Sequence, residues 1–218
     1  NAQQQAKTLQ DQASSTEQRL APLHQLAGSK TLEALQAAVQ RENTIRQRQT
    51  ELSQARNALG ELNETQARAI ACLMEKQLAT PEQYPLTQNS LLLACNQKTN
   101  RNPVMSLSSG ELGHALNELE ATGWVVVDSG SRASRYEHKV RSKLNLNLGA
   151  DGQAEQAILC MLMLRGPQTL NELITRTAKM TDNAERVTGR LEYLCQRSTS
   201  LIELQAKGAG QREARYAQ

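Results

Sequence analysis

One phrase is written twice in this chain. Gly130-Ser-Arg-Ala-Ser-Arg-Tyr136 recurs as Gly210-Gln-Arg-Glu-Ala-Arg-Tyr216, so a glycine followed by Arg-x-x-Arg-Tyr returns after 80 positions. A repeat of that period fixes architecture before any local reading does, because each copy must close an equivalent supersecondary unit. Upstream of each copy stand an apolar helical stretch, a proline turn, two further helical stretches and a β-prone run. The sequence therefore predicts one small helix-rich module, ended by a hairpin, present twice.

The local signals agree between copies. In the first, Ala67, Ile70, Ala71, Leu73, Met74 and Leu78 form a stripe of period 3.6. The prolines at 81 and 85 end that helix, since neither can continue it. Thr87 caps a second helix carrying Leu91, Leu92, Leu93 and Cys95, and a polar turn follows over 96–103. Ser108 with Glu111 is a capping box for a third helix that stops at Gly123. Trp124 to Val127 reads as a strand, 128–134 as a wing, and Arg135 to Val140 as the returning strand. In the second copy, Gln153–Arg165, a Gly166-Pro167 break, a Thr169–Glu172 capping box and a helix over 182–196 repeat the order. A strand over 201–205, a turn over 208–211 and a return over 212–216 complete it. Three helices closed by a β-hairpin is the winged-helix order.

Ahead of these modules, residues 2–20 and 30–59 are rich in helix formers, with Pro22 and Gly28 between them. Ala38, Ile45, Leu52 and Leu59 are seven apart, but Glu42, Gln49 and Arg56 at the companion positions leave the heptad one-sided. The expectation is a helical hairpin or coiled-coil arm over 1–63, a winged-helix domain over 64–148 and a second over 149–218.

Several words of the sequence resemble the bacterial YceH family (DUF480, or UPF0502, proteins) over roughly 64–218. They are Leu73-Met-Glu-Lys-Gln77, Thr80-Pro-Glu-Gln-Tyr-Pro-Leu86, Ala94-Cys-Asn-Gln-Lys-Thr-Asn-Arg101, Tyr136-Glu-His138 and Leu164-Arg-Gly-Pro-Gln-Thr169. The resemblance implies a mainly α, tandem winged-helix protein of the bacterial cytoplasm. It carries over no catalytic residue.

Charge and composition narrow the classes of function. The formal net charge is only +3, so any anion-binding surface must be local. The four cysteines (72, 95, 160 and 195) form no Cys-x-x-Cys and sit in apolar helical runs, as buried small residues do. His24, His114 and His138 stand apart, so neither a metal site nor a cofactor is expected. The apolar run over 157–164 is too short to cross a bilayer. With no phosphate-cradling glycine loop and no Ser–His–acid order, catalysis is not expected.

Binding remains. A winged helix presents its third helix to the major groove and its wing to phosphates. Arg132, Arg135 and Lys139 mark the first wing, Lys98 and Arg101 the preceding turn, and Arg190, Arg212 and Arg215 the second module. These eight are the candidate nucleic-acid contacts, with double-stranded DNA as partner and a homodimer as the working form. Against this stands the first module's third helix, which carries Glu111, Glu118 and Glu120 and no Lys or Arg. The competing expectation is an adaptor that binds other proteins without touching DNA; one arginine of each phrase would then brace the wing against its own module while Tyr136 or Tyr216 packs on the core.

Overall fold

The computed structural model describes residues 32–130, 133–181, 183–197, 200–207 and 212–218. The expected helix over 2–20, its bend at Pro22 and Gly28, and the 208–211 turn lie outside the described residues. The chain divides into two compact units, Asn1–Glu51 and Leu52–Gln218. The described part of the first is helical, within α1 (Leu32–Gly60). It carries an exposed Glu42–Arg46 pair at 3.1 Å, and both Val39 and Ile45 face solvent.

The second unit is mainly helical with two small antiparallel sheets. Asn63 opens α2 (Glu64–Ala79) through a reciprocal capping box with Gln66. A 3₁₀ turn over Pro81–Gln83 leads to β1 (Leu86–Thr87), and Thr87 then caps α3 (Gln88–Cys95). The Ser108–Glu111 capping box opens α4 (Ser109–Ala121), and Gly123, at φ 71°, supplies the left-handed residue that ends it. The hairpin of β2 (Val125–Asp128) and β3 (Arg135–His138) follows, with β1 added on the far side of β3. The returning strand stops at His138, two residues short of expectation. The chain instead turns into the short helix α5 (Val140–Lys143).

The second half repeats this plan. α6 (Gly149–Arg165) ends at Gly166, whose φ of 72° admits the Pro167 turn. Thr169 and Glu172 box the start of α7 (Leu170–Thr177), and Asn183 caps α8 (Ala184–Gln196). β4 (Glu203–Gln205) pairs with β5 (Arg215–Ala217). The pairing of Leu86 with Tyr136 in the first sheet is matched in the second by a bridge between Gln168 and Tyr216. The tyrosine of each repeated phrase thus lies beside the same point of its proline turn.

The two halves share one core. Over residues 157–164 α6 is apolar on every side, which suits a segment covered all round rather than an amphipathic surface helix. It packs on α2 along one flank and on α7 and α8 along the other. Cys160 Sγ donates to the Ala71 carbonyl at 3.3 Å, and the small residues Ala69, Ala71, Cys72 and Ala157 allow that approach. Trp124, Leu91, Leu112, Leu116 and Leu119 fill the first half, and Leu173, Val187, Leu191 and Leu194 the second. Leu93, on α3, is 74% exposed.

Buried polar groups tie the linker between halves to α6. Glu155, with no exposed surface, accepts from Asn147 N at 2.9 Å and Asn147 Nδ2 at 2.6 Å. Gly152 lies under the same linker: a Cβ there would fall 1.7 Å from the Asn147 carbonyl oxygen.

Candidate functional site

Of the eight basic residues expected to face phosphates, five are held by the protein itself. Arg101 requires a correction. Its side chain is fully buried, and its guanidinium grips Glu75 with two bonds, Nη1 to Oε1 at 3.2 Å and Nη2 to Oε2 at 2.5 Å. Nε donates to the Ala94 carbonyl at 3.1 Å, Nη1 also to the Asn100 carbonyl at 2.9 Å, and Nη2 to Gln97 Oε1 at 3.0 Å. Five acceptor contacts leave no donor for a ligand. The basic turn over 96–103 is therefore organised around an internal ion pair.

Arg135 donates through Nη1 to the Pro85 carbonyl at 2.9 Å. Arg215 does the same to the Pro167 carbonyl at 2.9 Å, and also meets Glu172 Oε2 at 3.2 Å. Lys139 pairs with Glu137 at 2.7 Å. Arg190 bridges Asp151 at 3.3 Å and Glu155 at 3.5 Å while its guanidinium lies 4.5 Å from the centre of the Tyr193 ring. Lys98 and Arg212 are exposed, and Arg132 lies outside the described residues.

The helix that would enter a groove is acidic at its surface. Glu111, His114, Asn117 and Glu120 of α4 are exposed. Glu118 is engaged by His114 at 3.3 Å and by Gln66 Nε2 at 2.8 Å. The Ser108 side chain and backbone hold the Glu111 carboxyl below its usual range, which keeps a full negative charge at the helix start.

A concavity lies elsewhere, between the two halves of the second unit. It encloses about 800 Å³. The end of α2 gives Gln77 and Leu78, the end of β3 gives His138, α5 gives Arg141 and Ser142, the linker gives Leu146 and Leu148, and α6 gives Gln153 and Gln156. Its lining includes a polar triad of half-buried Gln77 with buried His138 and Gln156. Gln77 Oε1 receives Gln156 Nε2 at 2.8 Å and lies 3.0 Å from His138 Nε2. His138 Nδ1 accepts from the Val140 amide at 3.3 Å, so the proton of the neutral ring belongs on Nε2. Burial, with Arg141 and Lys139 adding to it, lowers the His138 pKa to about 3. The ring is neutral across the physiological range. It orders the triad rather than carrying charge.

Arg141 completes the wall. Its Nε is buried without an acceptor, and no hydrogen bond or ion pair holds its guanidinium among the described residues. Nothing in the sequence singled it out. Gln77, Gln153 and Gln156 carried no signal at all, since only the packing of α2 on α6 brings them to one cavity. Arranged this way, the site can bind and orient a polar ligand. The described residues contain no group of His, Cys, Asp or Glu side chains placed to hold a metal ion, and no described helix is long and apolar enough to cross a membrane.

Among the described residues this chain is therefore a mainly α protein with two small antiparallel sheets and a cleft between the halves of its second unit. It belongs to the family described as "Protein of unknown function, DUF480", whose pattern matches residues 62–211. It is 47% identical over 157 residues to a UPF0502 protein of Cellvibrio japonicus, covering 71% of this chain and 70% of that protein. A UPF0502 protein of Pseudomonas fluorescens is 49% identical over 157 residues, with 71% and 69% covered. One of Pseudomonas syringae pv. syringae is 45% identical over 175 residues, with 79% and 75% covered. The family expected from the words of the sequence is the family found.

Proposed function

We propose that this protein is a non-enzymatic adaptor made of two winged-helix modules, which binds other proteins and does not depend on duplex DNA. The observation that carries this reading is the disposition of charge. Arg101, Arg135, Lys139, Arg190 and Arg215 each satisfy an acceptor of their own chain. The recognition-helix position of the first module, meanwhile, faces outward with Glu111 and Glu120. A phosphate lattice carries roughly one charge per 1.7 Å of duplex axis and repels such a face. Exposed Leu93, Val104 and Leu204 give apolar contact points of the kind protein interfaces use.

The competing reading, DNA association through Lys98, Arg212 and Arg132, is decided by the same experiment. Fluorescence anisotropy of a random 24-base-pair duplex, titrated with protein at about 50 and 200 mM salt, tests both. The adaptor reading expects no saturable binding at either salt. Micromolar binding at low salt that falls steeply at high salt and is lost in Lys98→Ala/Arg212→Ala overturns it.

A further inference from the structure

The cleft between the halves has the volume of a small-molecule site and a cation with no partner among the described residues. Sites for small ligands are concave, largely apolar, and carry a few convergent polar groups. Here the apolar walls are Leu78, Leu146 and Leu148, the last 81% exposed at the mouth. The polar groups are Gln77 and Gln156, whose shared bond uses one oxygen of the former and the nitrogen of the latter. The Nε2 of Gln77 and the Oε1 of Gln156 remain to meet a ligand.

Arg141 is what makes the cleft selective. Buried nitrogen atoms without acceptors also occur at Arg68, Arg186 and Arg197, but in each of these another guanidinium nitrogen is bonded: Arg68 to Pro103 O at 2.7 Å, Arg186 to Asp151 at 2.7 Å and Arg197 to Leu144 O at 3.3 Å. Arg141 has no such bond among the described residues. It lines the cleft together with His138, and its Nε is buried there. The other charges at the cleft, Lys139 and Glu137, neutralise each other at 2.7 Å. Among the described residues the lining thus carries one unbalanced positive charge next to an aliphatic wall.

We propose that this cleft binds a small organic acid, its carboxylate on the Arg141 guanidinium and its aliphatic body against Leu78, Leu146 and Leu148. A guanidinium fork matches a carboxylate in a way that an ammonium does not, and the bond strengthens where water is partly excluded. The proposal stands independently of whether the protein's partner is a protein or DNA.

The test is an NMR titration of the ¹⁵N,¹³C-labelled full chain with sodium hexanoate, hexanol at equal concentrations, and the tripeptide N-acetyl-Ala-Glu-Ala-amide. The readouts are the Arg141 Nε–H resonance and the methyl groups of Leu78, Leu146 and Leu148. Hexanoate is expected to shift all of them with one saturating curve. Hexanol and the tripeptide are expected to leave the Arg141 signal in place. In Arg141→Gln, hexanoate should bind at least about tenfold more weakly, with resonances away from the cleft unchanged. Arg141→Lys, which keeps charge but loses the fork, should fall between. Shifts that do not saturate, equal responses to hexanol, or undiminished binding in Arg141→Gln overturn the assignment. Saturable binding of the tripeptide without hexanoate binding also overturns it.

Discussion

Arg215 reaches from the last strand to the carbonyl of Pro167, 2.9 Å from its Nη1, and so fastens the hairpin to the turn that opens the second half. Arg135 makes the same bond to Pro85, also at 2.9 Å. The repeated phrase is therefore a clasp. Its second arginine fixes the return strand, and its tyrosine pairs with the residue after the proline, Leu86 in one copy and Gln168 in the other.

The Arg101–Glu75 pair should be among the most sensitive points of the molecule. Arg101→Ala strands a carboxylate that is mostly removed from water and also orphans the Ala94 carbonyl. Breaking a buried pair from one side costs about 3–5 kcal/mol. Urea denaturation followed by circular dichroism should show that loss. Replacing both partners, as Arg101→Met/Glu75→Leu, should recover part of it.

His138 gives a pH dependence whose sign is fixed. Its folded pKa, about 3, lies below the ordinary 6.5, so between these values the unfolded chain binds a proton that the folded protein refuses. The stability contributed by the neutral ring is fully present above pH 6.5 and is lost progressively as pH falls toward 3. In His138→Gln the urea midpoint should depend less steeply on pH across that window. A His138 ring that titrates near pH 6.5 by NMR contradicts the buried, neutral assignment.

Gly152→Ala should be costly even though alanine is the better helix former. The added methyl would overlap the Asn147 carbonyl, whose residue is already held by Glu155 from two atoms. Overpacking against backbone costs about 3 kcal/mol. The expected result is a lowered thermal midpoint with loss of the linker's amide protection in hydrogen exchange. An unchanged midpoint would show that the linker moves freely.

Much of the fold was legible because its signals are local. The Ser108–Glu111 and Thr169–Glu172 capping boxes, the proline breaks and the Gly123 stop set helix ends in sequence, and the structure places them there. The duplication was legible from one phrase. That one of its arginines braces the module was legible too, but which arginine and which partner were not, because a bond to a carbonyl some fifty residues away leaves no trace in spacing. Arg101 misled for a related reason. In a turn of Asn, Gln and Lys it reads as surface charge, and only its contact with Glu75 across α2 shows otherwise. The cleft was invisible, since Gln77, Arg141 and Gln156 meet only when α2 packs on α6.

The clasp itself is tested most directly by the urea midpoint of the double variant Arg135→Ala/Arg215→Ala. Each lost bond to a proline carbonyl is worth about 1 kcal/mol, so the pair should lower stability by about 2 kcal/mol, with either single variant near half of that. A double variant as stable as the parent would contradict the reading of the repeated phrase as two copies of one structural fastening.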